Sequence, residues 1–457
     1  MNKREELLSQ GNINNSLLKL ALPATIAMLV NALYNIVDTI FIGRGVGTLG
    51  IAGIAIQLPI QIIILSFSLL IGIGSASMIS RNLGKKDLEK VNYIAGNSFF
   101  CVGILGIIFS ILGYTFTSPI VKFFGTTDNI FPYARDYTRI MFIGSLYFPF
   151  CVSCNNIIRS EGNAKDAMIS MIIGFLSNIL LDYIFIFKLY MGIKGAAIAT
   201  ILSKLGSFIY ILIYLKSNRT SLKIAPKYFI PEKNIIKEMI SIGFSGFAVQ
   251  VSGSIVTIFL NHILGLYGGD LAIAVYGIIY KITLLLFMPI NGIIQGMQPI
   301  VGYNFGCNNI SKIKETIRLV IIYTTIITTI GVILVELFPS GIIKLFNSDP
   351  YLLSHGVKAL RIVIVATPLL GIQMTGLGLS QSLGEALTSF ILSILRQVIL
   401  FIPIVLILPN IYNPKINGVW LSFPIADLIS VIITLPILKK QLQKLNISYN
   451  LNLKNKF

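Results

Sequence analysis

Three carboxylates lie deep within long apolar stretches of this sequence, at Asp38, Asp182 and Asp427. A charged side chain at the centre of a bilayer costs about 2.5–3.5 kcal/mol even on the lenient insertion scale. Such a group persists only if it is protonated, paired with an opposite charge or solvated in a cavity. Each of these carboxylates therefore needs a chemical explanation, if the stretches that carry them span a membrane.

The first of these carboxylates ends a polar stripe formed by Asn31, Tyr34, Asn35 and Asp38. The spacing i, i+3, i+4, i+7 places all four residues on one face of an α-helix, whereas the other faces carry Leu, Ile, Val and Ala. A helix that faced only lipid would not carry such a stripe. The pattern therefore predicts that this face lines a cavity.

The second carboxylate, Asp182, follows Asn178 by one helical turn, and Thr200 supplies a hydroxyl in the next apolar stretch. Together with Asp38 these residues form a set of hard oxygen ligands that could hold a proton or a desolvated Na⁺. The alternative is that they only join helices by hydrogen bonds, which neutral amides would do at lower cost. We predict a cation-coupling site at Asp38, Asn178, Asp182 and Thr200, which act as metal ligands only if Na⁺ is the coupling ion.

Further polar side chains at scattered positions in the apolar stretches are candidates for the wall of a substrate-binding cavity. The candidates are Asn31, Tyr34, Asn35, Gln57, Gln61, Asn155, Asn156, Gln250 and Gln295. The two His lie at the ends of apolar stretches and carry no predicted role. The four Cys lie in or beside apolar stretches, where packing is the expected role.

The composition identifies the elements that must position these residues. The chain has 457 residues, of which 55% are hydrophobic and 12% charged, whereas soluble proteins carry about 25% charged residues. Its apolar runs are each long enough to cross about 30 Å of hydrocarbon. We predict an all-α integral membrane protein with twelve transmembrane helices, near 17–43, 50–79, 92–118, 132–158, 166–188, 193–215, 236–265, 271–302, 315–338, 357–382, 386–410 and 417–438. The first run is too long for a signal peptide and is expected to be retained.

An internal repeat divides the chain into two halves of six helices. Three loop motifs recur in order at an offset of about 222 residues: 81–84 with 303–306, 160–164 with 382–386, and 192–196 with 415–419. A six-helix unit duplicated in the same topology forms two bundles related by a pseudo-twofold axis along the membrane normal. We predict an N-terminal lobe at 1–220, which holds the cation-coupling site, and a C-terminal lobe at 221–457.

The same offset shows that the two halves differ in their charged residues. Asp38 and Asp182 align with apolar positions in the second half, so the acidic pair is confined to the first. A purely structural pair would be expected in both halves, which favours a functional role. Lys204 aligns with Asp427, and the sequence leaves open whether these two residues pair.

The positive charge is spread between the apolar runs. The net charge is +18, but Lys and Arg do not gather in one patch, which argues against nucleic acid as a partner. They favour one set of alternate loops by more than two to one, and the positive-inside rule then places both termini in the cytoplasm. We predict a multi-pass monomer in the cell membrane, whose partners are the lipid bilayer and small organic cations or amphiphiles.

The ordered motifs resemble those of the multidrug and toxic compound extrusion (MATE) transporters over essentially the whole chain. The motifs are Pro23 with VDTIFIG at 37–43, RSEGN at 159–163, NILLD at 178–182, GAAIAT at 195–200 and QPIVGYNFG at 298–306. The resemblance implies cation-coupled antiport of amphiphilic, often cationic, compounds out of the cell. It also implies that Asp38, Asn178, Asp182 and Thr200 carry the coupling. A second branch of the family places acidic residues in later helices, which this sequence lacks.

Three alternatives to an antiporter make different demands on the sequence. A flippase for a lipid-linked glycan or another lipid-like metabolite is the alternative within transport, and it would be expected to carry a strongly basic central cavity. An intramembrane enzyme would need a nucleophile–base or metal constellation that the sequence lacks, so we expect no enzymatic activity. The absence of a P-loop excludes a nucleotide-driven pump for this chain alone. We expect no cofactor other than a coupling ion, H⁺ or Na⁺.

Overall fold

The computed structural model describes residues 7–8, 12–346 and 349–454, without the side chains of Asn35 and of residues 447–454. All regular secondary structure in the described residues is helical. The helices are long and apolar because uninterrupted backbone hydrogen bonding is the only way an open chain crosses hydrocarbon. The all-α integral membrane class predicted from composition is confirmed.

The first half of the chain forms six long helices, α1 to α6, of which α4 is bent by 49° between two segments. A short helix, Thr117–Phe123, precedes α4. The bounds are α1 Ile13–Gly45, α2 Thr48–Gly84, α3 Leu88–Thr115, α4 Phe131–Gly144 with Phe148–Ser160, α5 Ala164–Lys188 and α6 Gly192–Lys216. We call this group of helices the N-lobe.

The next helical stretch, Lys233–Gly306, contains 74 residues and has to be two spans. At 1.5 Å per residue it would be about 110 Å long if straight, several times the thickness of the hydrocarbon core. Its backbone leaves helical geometry at Gly269, where φ is 62° and ψ is −162°. Only glycine adopts this conformation readily, so the residue separates helix α7 (233–268) from helix α8 (270–306).

Four further helices complete the second group, which we call the C-lobe: α9 Ile310–Leu337, α10 Pro350–Leu383, α11 Ala386–Ile411 and α12 Lys415–Lys454. A short helix, Pro339–Lys344, lies before α10. With the bent α4 as one span and the division at Gly269, the described residues form twelve membrane-long helices. The prediction of twelve helices in two six-helix bundles is confirmed.

The connector between the lobes, residues 217–232, is tied to the N-lobe. The backbone N–H of Ser221 donates to Glu161 Oε1 at 2.7 Å, and that of Lys223 donates to Asn92 Oδ1 at 2.8 Å. Glu161 belongs to the 159–163 motif, so this part of the motif holds the connector against the N-lobe. Buried carboxylates and amides that accept backbone N–H groups hold a loop in one path.

The lobes approach each other most closely through glycines of α2. A Cβ atom added at Gly74 would lie 1.9 Å from the carbonyl oxygen of Met239, and one added at Gly84 would lie 2.0 Å from that of Tyr303. No larger residue fits there without moving a backbone. Glycine at these positions therefore lets α2 touch α7 and α8 directly.

Polar contacts join the lobes at the same level. Arg81 Nη2 lies 2.9 Å from Glu238 Oε1, and Ser77 Oγ donates to the backbone carbonyl of Gln381. These residues lie near the end of α2 that leads into a basic loop, which the charge distribution predicts to be cytoplasmic. The cleft between the lobes is therefore closed at the end that carries these loops.

Candidate functional site

The four residues predicted to form the cation-coupling site come together inside the N-lobe. Asp38 on α1, Asn178 and Asp182 on α5, and Thr200 on α6 expose 7%, 1%, 0% and 2% of their surface. The carboxyl groups of Asp38 and Asp182 act electrostatically on each other, and the Asn178 amide lies close to Asp182. Residues 162 positions apart in the chain thus form a single polar cluster.

Most of the polar atoms of this cluster have no hydrogen-bond partner among the described residues. They are Asp38 Oδ1, both carboxyl oxygens of Asp182, both amide atoms of Asn178, and Thr200 Oγ1. A buried polar atom left unsatisfied costs about 1–3 kcal/mol, so a bound proton, ion or water would stabilise this group of atoms. Carboxylate, amide and hydroxyl oxygens are suited to a proton or a hard cation.

The sequence of α5 and α6 explains how the cluster is assembled. Asp182 is the last α-helical residue before a π-helical turn at Tyr183–Lys188, a distortion that often marks functional sites. Small residues bring α6 close to α5, because a Cβ atom added at Gly195 would lie 3.0 Å from the Phe185 carbonyl oxygen. This close approach brings Thr200 to the carboxylates.

Two tyrosines extend the cluster. The hydroxyl of Tyr34, a predicted cavity residue on α1, is buried without a partner among the described residues, and Thr200 and Ser203 lie nearby. Tyr137 on α4 exposes 3% of its surface and lies close to Asp38 and Thr200. Sequence reasoning missed Tyr137, because α4 carries no polar stripe that singles it out.

A basic residue, Lys204, lies one turn beyond Thr200 on α6. Its Nζ lies 4.3 Å from the centroid of the Phe148 ring, and its charge acts on Asp38. More than 4.0 Å separates it from every carboxylate oxygen of the described residues. Lys204 is therefore near the cluster but is not bonded to it.

The aligned position in the C-lobe is arranged differently. Asp427 exposes 2% of its surface, and its Oδ1 accepts a hydrogen bond from Arg396 Nε at 2.5 Å. The guanidinium of Arg396 also lies 5.3 Å from the centroid of the Phe287 ring. The sequence left open whether Lys204 and Asp427 pair, and the structure pairs Asp427 with Arg396.

The remaining cavity candidates of α1 and α2 lie at different depths. Asn31 is exposed and Gln61 is half-buried, whereas Gln57 is 2% exposed and its Oε1 has no partner in the described chain. The side chain of Asn35 lies outside the described residues, although its backbone belongs to α1. Among the three candidates whose side chains are described, Gln57 is the one with a buried polar atom that lacks a hydrogen-bond partner.

The candidates on α4 face different surroundings. Asn155 Oδ1 accepts a hydrogen bond from Ser170 Oγ at 2.7 Å and joins α4 to α5 within the N-lobe. Asn156 Oδ1 accepts from Arg159 Nη2 at 2.9 Å, and both of these residues line a pocket between the lobes. Asn156 is thus placed at the cleft, while Asn155 serves packing inside the lobe.

The pocket between the lobes lies just above the closed end of the cleft. Its wall includes Asn156, Arg159, Gln295, Gln298 and Gln381. Gln298 Nε2 donates to Gln381 Oε1 at 2.8 Å, and Gln295 Nε2 lies 3.6 Å from a methionine sulfur of α1. Sequence reasoning missed Gln381, which is one of several polar residues near the end of α10 without a helical stripe to mark it.

The last cavity candidate, Gln250, is half-buried on α7, and its carbonyl accepts a hydrogen bond from Ser254 Oγ at 3.3 Å. It does not line the pocket between the lobes. In the described residues no group of three His, Cys, Asp or Glu side chains could hold a metal ion. A hard-cation site at Asp38 and Asp182 would depend on amide and hydroxyl oxygens as well as carboxylates.

Two curated relatives match nearly the whole chain. The multidrug export protein MepA of Staphylococcus haemolyticus is 28% identical over 427 residues, which cover 93% of each chain. The multidrug export protein MepA of Staphylococcus saprophyticus is 27% identical over 431 residues, which cover 93% of this chain and 94% of the other.

The fold also matches a solved structure. It is described as the outward-facing conformation of a multidrug resistance MATE family transporter of the MOP superfamily, with a TM-score of 0.92 and 28% identity over 98% of this chain and 99% of the other. The family model for MatE matches twice, at residues 23–184 and 242–407, one match in each lobe. These matches span more than half of the sequence, and the chain belongs to the MATE family of membrane transporters.

Proposed function

We propose that this protein is a cation-coupled antiporter that exports amphiphilic, mostly cationic, organic compounds such as drugs and toxins. The observation that carries the proposal is the cluster at Asp38 and Asp182, where two carboxylates lie close together and most of the polar atoms have no hydrogen-bond partner among the described residues. The curated relatives are multidrug export proteins, which supports this class of substrate. The coupling ion is H⁺ or Na⁺, and no cofactor is involved.

Coupling follows from competition for the same negative charge. An organic cation binds while the carboxylates are ionised. A proton or Na⁺ that binds the carboxylates lowers the affinity of the site for this substrate. Each ligand lowers the affinity of the site for the other by the same factor, because binding free energies are reciprocal. The substrate leaves on the outer side when the ion enters, and the ion leaves on the inner side.

Alternating access is attributed to rocking of the lobes. In the described arrangement the cleft is closed where Gly74 meets Met239 and where Arg81 pairs with Glu238. We place this end in the cytoplasm, together with both termini, on the basis of the charge asymmetry of the loops. These contacts have to part for substrate to enter from the cytoplasm.

The partners in this proposal are small organic cations or amphiphiles and the lipid bilayer, with the protein acting as a monomer and without nucleic acid. A flippase for a lipid-linked glycan would be expected to use a basic central cavity. The half-buried bases Lys204 and Arg396 each have a carboxylate nearby, Asp38 and Asp427 respectively. This balance of charge favours an organic cation over a pyrophosphate.

The proposal is tested by efflux of ethidium from cells that lack their own pumps. We expect the wild type to export the dye and the well-expressed variants Asp38→Asn and Asp182→Asn to fail, because a neutral amide cannot exchange a cation. Replacing Na⁺ in the medium and collapsing the proton gradient, in separate experiments, identify the coupling ion. Equal export by wild type and both variants would contradict the proposal.

A further inference from the structure

The pocket between the lobes contains a buried arginine that the coupling mechanism above does not use. Helices α2, α4, α8 and α10 form its wall, and Arg159 is the one charged side chain among the described residues that line it. The cavity volume is about 20 Å³, whereas a water molecule needs about 10–15 Å³. The pocket therefore has room for water or a small ion but not for an organic substrate.

Arg159 carries its charge without an opposite charge close by. It exposes 7% of its surface, and its Nη2 donates to Asn156 Oδ1, a neutral amide, at 2.9 Å. No carboxylate oxygen in the described parts of the chain lies within 4.0 Å of the guanidinium. A guanidinium keeps its charge even when buried, and an unpaired buried charge is costly. Its presence at this place therefore needs an explanation.

Stabilisation of a helix end does not require this charge. Arg159 lies in the last turn of α4, where the free carbonyl groups favour a cation. The internal repeat aligns 160–164 with 382–386, so Arg159 corresponds to Gln381 near the end of α10. Gln381 lines the same pocket from the opposite lobe. A neutral amide is thus sufficient at the corresponding helix end, and the charge of Arg159 has to serve another purpose.

A second arginine at the closed end shows the alternative arrangement. Arg81 lies in the last turn of α2, and its guanidinium is paired with Glu238 at 2.9 Å. This pair is neutral by itself. The positive potential of Arg159 is not cancelled in this way, so it acts on whatever enters the pocket.

The closed end of the cleft has to stop small ions as well as substrate. Backbone contacts close it sterically, because a Cβ atom added at Gly306 would lie 2.1 Å from the Arg81 carbonyl oxygen. Such contacts exclude an organic molecule, but a proton can move along hydrogen-bonded water. Gln295 Oε1 in the pocket wall is buried without a partner among the described residues, and a water molecule would satisfy it. The polar pocket is therefore the weak point of the steric closure.

We propose that Arg159 is an electrostatic barrier, whose unpaired charge prevents the coupling ion from crossing the closed end of the cleft without substrate exchange. A fixed positive charge in a narrow polar passage excludes protons and other cations. Once the cleft opens to the cytoplasm, water surrounds the guanidinium and weakens its field, so the entering substrate is not held back. This inference rests on the proposed function and adds to it the residue that limits uncoupled ion flow.

The test measures ion leak through the purified protein in liposomes, with no substrate present. A K⁺ gradient with valinomycin makes the interior negative. Proton entry is followed with internal pyranine, and Na⁺ entry is followed separately with radioactive Na⁺. We expect the wild type to leak little more than protein-free liposomes. Arg159→Gln introduces the residue of the aligned position and should raise the leak of the coupling ion at least about tenfold.

Further variants separate the charge of Arg159 from its shape. Arg159→Lys keeps the charge and should leak as little as the wild type. Gln298→Glu leaves Arg159 in place and adds a carboxylate to the same pocket, so it should leak like Arg159→Gln. Gln298→Met adds no charge and is the matched control, which should stay tight. Size-exclusion profiles establish which variants fold, and Gln298→Glu decides the test alone if Arg159→Gln does not.

The outcomes distinguish this inference from the proposed function. A folded Arg159→Gln or Gln298→Glu protein that is as tight as the wild type would overturn the barrier. Equal leaks in Arg159→Lys and Arg159→Gln would also overturn it, because they would attribute the seal to packing. Failure of the antiporter would be seen in a separate measurement, as wild-type ethidium transport that ignores both the proton gradient and the Na⁺ gradient.

Discussion

The N-lobe and the C-lobe share a fold but treat their buried charges in opposite ways. In the N-lobe, Asp38 and Asp182 lie together with carboxyl oxygens that have no partner among the described residues. In the C-lobe, Asp427 is closed off by a direct bond to Arg396 at 2.5 Å. Among the described residues, a duplicated scaffold thus carries carboxylates without hydrogen-bond partners in one half and a satisfied ion pair in the other.

A buried carboxylate in a membrane lobe is therefore not by itself a sign of transport chemistry. What matters is whether its oxygens are already paired. Asp427 meets the sequence criterion for a functional residue as well as Asp38 does, since both lie deep in apolar helices. The two residues differ only in their partners, which the sequence did not identify: Asp427 is bonded to Arg396, whereas Asp38 Oδ1 has no partner among the described residues.

The largest expected effect comes from neutralising the open site. Asp182→Asn should reduce dye efflux to the background of cells without the protein, because the variant can no longer exchange a cation for the substrate. Asp166, buried and paired with Arg219 at 2.6 Å near the connector, provides a matched carboxylate outside the site. A well-folded Asp166→Asn protein should retain coupled efflux. If its efflux were lost completely, the effect of Asp182→Asn would not be specific to the open site.

The second effect concerns the contact between the lobes. Gly74→Ala places a Cβ atom 1.9 Å from the Met239 carbonyl oxygen, and overpacking of this kind costs about 1–3 kcal/mol. We expect at least about a tenfold loss of transport rate. Gly103→Ala on α3 is the control, because nothing lies within 4 Å of the added atom.

An unchanged rate in Gly74→Ala would show that the lobes do not need to meet at this level during transport. A rate lost equally in Gly103→Ala would point to a general intolerance of these helices to substitution. Only a selective loss in Gly74→Ala supports closure at the α2–α7 contact. Thermal unfolding of both variants in detergent measures any loss of folding stability.

The third effect is on stability and concerns the closed pair of the C-lobe. Asp427→Asn leaves the half-buried Arg396 guanidinium without its counter-charge. Breaking a fully buried pair costs about 3–5 kcal/mol, and we expect a smaller loss here because water reaches the guanidinium. The thermal unfolding temperature should fall clearly. Replacing both partners, as Arg396→Met with Asp427→Leu, should recover most of it, because apolar substitutes of similar volume remove the need for pairing.

That double variant also sharpens the comparison between the lobes. If the C-lobe pair only stabilises the fold, the recovered protein should still export ethidium with the same dependence on the ion gradient. Loss of transport at full stability would place the Arg396–Asp427 pair in the coupling mechanism. The contrast between an open and a closed lobe would then have to be abandoned.

The smallest effect is expected at the Arg81–Glu238 pair, whose side chains expose 15% and 45% of their surface. Exposed ion pairs contribute about 0.2–1 kcal/mol, so Glu238→Gln should change the transport rate by less than about fivefold. The difference from the wild type should shrink at high salt, where surface charges are screened. A loss of tenfold or more would mean that the pair controls the cleft.

Much of the fold was predictable because hydrophobic length is a strong signal. The twelve spans and the duplication followed from apolar runs and from recurring loop motifs, and the structure agrees with both. The break at Gly269 was anticipated by a gap between two predicted spans. The bend within α4 and the π-helical turn after Asp182 were not, since neither leaves a clear mark on periodicity.

The candidate site was predictable where helical spacing alone places the side chains on one face. The stripe that ends at Asp38, and Asn178 one turn before Asp182, place on one helix face side chains that the structure brings into one cluster. Tyr137 and Gln381 were missed, because each reaches its site through tertiary packing alone. Pairing between helices distant in the chain, as at Arg396 and Asp427, likewise lies beyond a single sequence.

The central claim is that coupling ion and substrate compete for Asp38 and Asp182. The most direct measurement is binding of ethidium to the purified protein, followed by fluorescence anisotropy while pH and Na⁺ are varied separately. We predict that lowering the pH or raising Na⁺ releases the dye from the wild type, and that the Asp38→Asn/Asp182→Asn double variant binds weakly and without response to either ion. Tight binding that ignores both ions in the wild type, or an equal response in the double variant, would contradict the account.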